Sequence, residues 1–264
     1  MNVTYDYRGR TVLVTGGGRG IGRGISELLA ANGATVAVNY RKDAEAAADT
    51  VATITAAGGS AKAYAASVDD ADQCAAMVAA VIDDFGGIDV LVCNAGIASR
   101  GKSVVDTDPA ETARVIATHA IGPHHLSRLA IPSLRAQAAK RGRADIVMIS
   151  SVATNRMSAN GAPYSMGKAA LEALAMTLAK EERSHHIHVN IVAPGLVETD
   201  MGVRLGRAMT GNHDLEDLRS LDAVSPFGRV CQPDDIAKVV LWLCGDGASY
   251  LTGQRIEVDG GASR

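Results

Sequence analysis

The chain has 264 residues, 47% apolar and 21% charged, with 26 basic and 29 acidic side chains and a formal net charge of −3. Such a composition excludes a disordered chain and supplies ample material for one sizeable core. The near-balance of charge lacks the basic surplus of a nucleic-acid binder, and aromatics at 3% leave no stacking platforms for single strands.

The N-terminal ten residues contain no apolar core of a secretory signal, and no apolar run approaches about 18 residues without a charge or a glycine. The expectation is a soluble cytoplasmic protein without a membrane partner. Short β-branched runs then alternate with longer amphipathic ones. Strands are predicted over 11–15, 35–39, 62–65, 88–93, 145–149, 188–193 and 255–258. Several are apolar nearly throughout, as expected when both faces of a sheet are covered. Helices are predicted over about 21–32, 43–57, 71–85, 108–139, 163–183 and 233–244. Asp108-Pro109 and Pro233-Asp234-Asp235 place proline and acids where a first helical turn accepts them. The alternation predicts an α/β fold: one domain over 1–264, with a doubly wound parallel sheet of about seven strands and helices on both faces. A nucleotide-binding half would span about 8–140 and a catalytic half about 141–264. The stretch 195–230 is polar, contains Gly202, Gly206, Gly211 and Pro226, and is expected to be an irregular, mobile substrate lid. Its Met201, Leu205, Met209 and Leu215 either wall the substrate or pack the lid. Cys74, Cys93, Cys231 and Cys244 match no zinc spacing and read as reduced packing residues.

The first strand runs into Thr15-Gly16-Gly17-Gly18-Arg19-Gly20-Ile21-Gly22 and then a helix. Glycines let a backbone turn tightly and approach a pyrophosphate, while the helix N-terminus faces the anion. The second strand ends Val38-Asn39-Tyr40-Arg41-Lys42, with no acid before Asp43. A site for NAD usually places an acid there on the ribose 2′-hydroxyl. Two bases stand instead where a 2′-phosphate would lie, and Arg suits that group through charge-assisted hydrogen bonds. The expected cofactor is NADP(H); the plainer alternative makes Arg41 and Lys42 a solvated helix start.

Tyr164 and Lys168 lie four apart at the start of a helix, so they share one face. A phenol with a pKa near 10 is a poor acid–base group at neutral pH. An ammonium at about 4 Å and an effective dielectric near 20 supplies about 4 kcal/mol, roughly 3 pKa units. Tyr164 is thereby expected to donate a proton to a developing alkoxide, with Lys168 as its electrostatic tuner. Ser150 and Ser151 follow the fifth strand, where strand ends line a ligand crevice and a hydroxyl can bind a carbonyl oxygen.

With Asn94-Ala95-Gly96, Ser151, Tyr164-Ser165-Met166-Gly167-Lys168 and the run from Asn190 through Gly195 to Thr199, the glycine loop resembles the short-chain dehydrogenase/reductase family over nearly the whole chain. The 3-oxoacyl-carrier-protein reductase type is the most similar, and the closing Val258-Asp259-Gly260-Gly261 also fits it. The resemblance implies a Rossmann-type fold and NADPH-dependent reduction of a ketone, a 3-oxoacyl thioester or a related small carbonyl. It selects Ser151 over Ser150, gives Lys168 the nicotinamide ribose, and assigns Arg19 as a further cation for NADP. It assigns Asn94, Ala95 and Gly96 to the adenosine ribose, although Asn94 has an equally good structural reading. Pro194, Gly195, Val197 and Thr199 would pass the nicotinamide. Two positions depart from the family pattern. Ser67 precedes the adenine-contacting Val68 where an acid is usual, and His119 replaces an asparagine that holds a water of the proton path. His119 then preserves that path, alters its pH dependence, or merely packs. A homotetramer is implied, built on helices near 108–135 and 163–183, whose Ala169, Ala170 and Ala173 permit close approach. Rival readings are a nucleotide-binding regulator without turnover and an alcohol dehydrogenase working oxidatively. The pairs and triplets His124, His125 and His185, His186, His188 are expected to bind no metal.

Overall fold

A computed structural model describes residues 5–262. Seven strands form one parallel sheet: β1 (Thr11–Val14), β2 (Thr35–Tyr40), β3 (Ser60–Ala65), β4 (Val90–Cys93), β5 (Ala144–Ile149), β6 (Ile187–Pro194) and β7 (Arg255–Val258). Their order is β3-β2-β1-β4-β5-β6-β7. The order reverses at β1, where β4 takes its other side with Leu13 opposite Leu91. In such sheets the crevice beyond the strand ends at the reversal is the usual ligand site. The expected strands are all present, and so are the expected helices apart from that over 108–139, with ends moved by no more than two residues.

Alternation along the strands divides the interior in two. Leu13, Leu91, Ile146, Met148, Val189 and Ile191 belong to one core, with Leu126, Leu134 and Leu171 from helices α5 (Gly122–Arg141) and α7 (Ala162–Glu182). Val12, Val14, Val90, Val92, Val147 and Val192 belong to the other. There they meet Ile25 and Leu29 of α1 (Gly20–Ala31) and, from α9 (Pro233–Leu243), Ile236 and Val240. Both faces are therefore dry, which is why these strands read as unbroken apolar runs. Helices α2 (Ala44–Ala56) and α3 (Ala71–Phe85) begin at Asp43 and Asp70, whose carboxylates accept N–H groups of the first turn.

Two expectations need correction. The single helix expected over 108–139 is α4 (Pro109–Ile116), a π turn at Ala117–Ile121, and then α5. Pro123 lies four residues after His119, so it has no N–H for that carbonyl and its ring crowds it. The ladder widens there, and His119 sits in the widened turn. The stretch 195–230 is also not irregular throughout. It contains a short helix's worth of order in α8 (Asp200–Thr210), followed by 3₁₀ turns at Arg219–Val224 and Pro226–Gly228. A Cβ on Gly202 would lie 1.9 Å from the Val197 carbonyl oxygen, and one on Gly206 2.6 Å from Leu218 Cδ2. These glycines permit close packing and do not break the helix. Leu215 is buried with Leu218 and Val230 and packs within this segment, whereas Leu205 and Met209 are exposed. A further short helix, α6 (Ala153–Arg156), follows β5.

Candidate active site

The glycine loop sits at the reversal point. Gly16 and Gly20 have φ of +60° and +54°, a conformation other residues rarely adopt. A Cβ on Gly18 would lie 2.9 Å from Ala47 Cα, and one on Gly22 2.1 Å from the Gly16 carbonyl oxygen. The loop is thus shaped by its own neighbours before any ligand is considered. Its amides are anchored by Asn39, a buried residue at the end of β2 whose role the sequence reading missed. Gly16 N–H donates to Asn39 Oδ1 at 3.2 Å, and Gly17 N–H to the Asn39 carbonyl at 2.9 Å. The Asn39 amide donates to the Tyr64 and Ala66 carbonyls at 3.2 and 3.0 Å. A polar residue closing an otherwise apolar strand was the available signal. Helix α1 starts at Arg19 without a side-chain cap and with no acid in its first turn. Half-buried Ile21 is its second residue, and the first N–H groups of a helix have no intrahelical partner, an arrangement that fits a pyrophosphate.

The cations lie at one rim. Arg19 is 3.4 Å from Asp43 and 3.9 Å from Asp200, with all three side chains largely exposed. Arg41 and Lys42 are exposed immediately beyond β2. Asn94 has a structural role: its amide donates to the Thr15 and Gly16 carbonyls at 2.9 and 3.2 Å. The N–H groups of Asn94 and Ala95 both donate to the Thr15 hydroxyl, at 2.9 and 3.0 Å. Gly96 lies against His119, where a Cβ would meet Cε1 at 2.8 Å. The Ser67 hydroxyl donates to Asp69 and its N–H to Gln73, while Val68 is buried. At the end of β6, the N–H of Gly195, next to Pro194, donates to the Val258 carbonyl at 3.1 Å. Val197 is buried, and Thr199 caps α8 by accepting from Gly202 N–H at 3.0 Å. Thr199 also closes over the glycine loop, 3.1 Å from where a Gly20 Cβ would be.

Ser151, Tyr164 and Lys168 converge beyond the end of β5. Ser151 neighbours the Tyr164 phenol closely enough to oppose the rise that burial gives its pKa, and its Oγ also accepts from Ala153 N–H at 3.2 Å. Ser150 is buried and its hydroxyl donates to Glu172 at 2.5 Å, so it faces away from Tyr164. The geometry therefore separates the two serines. Lys168 is buried, 4% exposed, and its ammonium donates to the Ile149 carbonyl at 2.7 Å. Burial draws its pKa down to about 8, opposed by Cys93 and Glu172. Lys168 Nζ lies 5.9 Å from the Tyr164 ring centroid. The expected downward pull of Lys168 on the phenol does not dominate. Burial raises the Tyr164 pKa, and the hydrogen bond with Ser151 opposes the rise. The reason is that desolvation acts on the phenolate directly, whereas the cation is held on a backbone carbonyl.

His119 packs edge-on to Tyr164 with ring centroids 5.1 Å apart. Its Nε2 lies 2.8 Å from the Ile97 carbonyl oxygen, and Nδ1 is buried without a hydrogen-bond partner. Burial, then the nearby Lys168 charge, holds the imidazole down at about 3. The ring is neutral at ordinary pH, so the reading of a titrating His119 is not supported. Among the described residues no cluster of His, Cys, Asp and Glu is placed to hold a metal, and no helix is long and apolar enough to cross a membrane. The four cysteines are free, three of them buried.

The family described as enoyl-(acyl carrier protein) reductase matches residues 16–263. A versicolorin reductase of Emericella nidulans is 36% identical over the full length of both chains. A short-chain dehydrogenase from Burkholderia cenocepacia, solved in complex with NADP, is 34% identical with a TM-score of 0.85, covering 98% of this chain and 99% of that one. A 3-ketoacyl-(acyl-carrier-protein) reductase from Brucella melitensis, solved with NADH, is 30% identical with a TM-score of 0.85, covering 98% and 100%. With the family model matched over residues 16–263 and relatives at 30% identity or more over nearly the whole chain, the chain belongs to the short-chain dehydrogenase/reductase family of oxidoreductases.

Proposed function

We propose that the protein reduces a ketone to a secondary alcohol with NADPH. The observation that carries this reading is the gathering of Ser151, the Tyr164 phenol and buried Lys168, whose Nζ lies 5.9 Å from the Tyr164 ring centroid. Two neighbouring hydroxyls can both turn onto one carbonyl oxygen. There they can stabilise the negative charge that develops on that oxygen as hydride arrives at carbon. The uncapped start of α1 and the glycine cradle would hold the pyrophosphate of the cofactor. Arg19 and Arg41 would take a 2′-phosphate, and Lys168 the nicotinamide ribose. A bound nicotinamide supplies the hydride.

Ser151 orients the carbonyl and stabilises charge as it grows on oxygen. Tyr164 delivers its hydroxyl proton to that oxygen and must recover one from solvent before the next cycle. A raised Tyr164 pKa keeps the phenol protonated at neutral pH, ready for this direction of reaction. Lys168, positioned by the Ile149 carbonyl, stabilises the transient phenolate. Pro194, Gly195, Val197 and Thr199 border the nicotinamide side, and the 195–230 segment covers the substrate. Exposed Leu205 and Met209 on α8 favour an apolar ketone or acyl thioester. Exposed Ala170 and Ala173 on α7 favour a homotetramer built on α5 and α7.

The test is loss of NADPH absorbance with an acetoacetyl thioester and a panel of ketones, repeated with NADH. Turnover with a kcat/KM favouring NADPH is expected. Binding of NADPH without turnover of any ketone overturns the enzymatic reading, and a clear NADH preference overturns the cofactor assignment. Sedimentation equilibrium checks the tetramer.

A further inference from the structure

We propose that Glu172 and Arg255 act together as positioning residues for Ser151, clamping the turn that carries it and holding a carboxylate one helical turn from Lys168. The inference rests on the reading of Ser151, Tyr164 and Lys168 given above. Glu172 lies on α7, four residues after Lys168 and eight after Tyr164, so all three occupy one side of that helix. One of its oxygens, Oε1, accepts three hydrogen bonds. They come from the Ser150 hydroxyl at 2.5 Å, the Thr154 hydroxyl at 2.9 Å and Arg255 Nε at 2.9 Å. Ser150 and Thr154 flank Ser151 in the chain, so a single carboxylate oxygen grips the turn on both sides of it. Arg255, reaching across from β7, donates through Nη2 to the Ser151 carbonyl at 3.3 Å and to the Thr154 hydroxyl at 2.9 Å. Arg255 is itself held by Glu257, 2.6 Å away, which also accepts from Asn155 at 2.6 Å.

The clamp has two consequences for the site. It turns the Ser150 hydroxyl inward, which leaves the neighbouring hydroxyl of Ser151 with Tyr164. It also fixes a charge near the buried ammonium. The groups facing Lys168 are Cys93 at the end of β4, His119 of the π turn, Tyr164 one turn before it and Glu172 one turn after. Arg255 stands behind Glu172 and partly neutralises it. Glu172 and Arg255 side chains are only 18% and 16% exposed, so their fields are weakly screened at this range.

The experiment compares Glu172→Gln and Arg255→Met with the unaltered protein. Expected in both is a kcat loss on the order of tenfold to a hundredfold with the NADPH Kd unchanged, as for a misplaced reacting group. The double variant should be no worse than the weaker single, because both act on one clamp. The alkaline limb of the kcat/KM profile should move in opposite directions. Loss of the carboxylate makes Lys168 and Tyr164 easier to deprotonate, moving the limb to lower pH; loss of the guanidinium moves it to higher pH. Hydrogen–deuterium exchange should quicken over 150–156 and not in the glycine loop. A kcat retained within about twofold in both variants overturns the proposal, as do limbs that stay put or move together. Should Glu172→Gln not fold, Arg255→Met with Thr154→Val decides by the same readouts. If the unaltered protein turns over no ketone, the functional reading fails by itself. The clamp is then judged by exchange alone, and unchanged protection over 150–156 sinks it.

Discussion

In the proposed reaction Tyr164 carries the chemistry, and His119 packs against its ring. Tyr164→Phe removes the transferable proton but keeps the ring against His119. Turnover of the favoured ketone should fall by about 10²- to 10⁴-fold, with NADPH binding retained in a fluorescence titration. For His119 the useful quantity is stability. Its folded pKa, about 3, lies well below the usual 6.5. Below about pH 6.5 the unfolded chain therefore takes up a proton that the folded chain refuses, and stability falls as pH drops towards 3. Above that range the residue contributes no pH dependence. Between pH 6.5 and 5 the loss traceable to this imidazole is about 1.5–2 kcal/mol. His119→Asn should be spared that loss in urea titrations at the two pH values. Its kcat/KM profile should show no imidazole limb to lose. The substitution was visible in the sequence as a departure from the family, but its meaning was not. Whether an imidazole titrates depends on the burial and the cation it meets, and these come from α7 and the loop at Ile97.

At the scale of an element, the helix of the proposed lid is the instructive case. Helix α8 had legible ends: Thr199 as a cap, Asp200 in the first turn, and Gly211 just beyond, in the left-handed region. Gly202 and Gly206 hid it, because glycine inside a helix costs about 1 kcal/mol relative to alanine and reads as a breaker. In an isolated helix, alanine at both positions would stabilise. Here Gly202→Ala would drive a Cβ to within 1.9 Å of a backbone carbonyl, which cannot yield without moving the lid. Gly206→Ala meets the end of the Leu218 side chain, which can rotate at the cost of disturbing a small cluster. Thermal melts and limited proteolysis over 195–230 should show the lid loosened by Gly202→Ala and only mildly affected by Gly206→Ala. Equal tolerance of the two would mean that the lid does not pack on Val197. The π turn at Ala117–Ile121 teaches a similar lesson, since Pro123 was in plain view but its effect depended on which carbonyl it left unpaired.

Across the whole molecule, the two ends of the sheet do different work. The C-terminal strand ends carry the glycine loop, Asn94, Ser151 and Pro194. The opposite end is knitted by buried charge. Asp145, at the start of β5, accepts from Arg10 at 2.6 Å and Arg143 at 2.7 Å, with all three side chains mostly buried. The two arginines continue to the carbonyls of Leu243, Cys244 and Gly245 beyond α9. Asp145→Asn leaves two buried guanidinium groups without their shared carboxylate, which should cost about 3–5 kcal/mol in chemical denaturation. The NADPH Kd of the folded fraction should not change, because the site lies at the far end of the strands. A large change in that Kd would show that the two ends are coupled.

What the residues determined by themselves was the periodic part: strand and helix order, the parallel sheet, the glycine loop, and the Tyr164–Lys168 spacing. These follow from local regularities, since a two-residue or 3.6-residue repeat and a glycine run act within a few positions of the chain. Tertiary structure alone decided which serine faces Tyr164, that Asn39 and Asn94 are struts of the loop, that α8 is a helix, and how burial shifts Tyr164, Lys168 and His119. Each depends on groups brought together from distant parts of the chain, and neither desolvation nor a shared hydrogen-bond partner leaves a pattern in linear order.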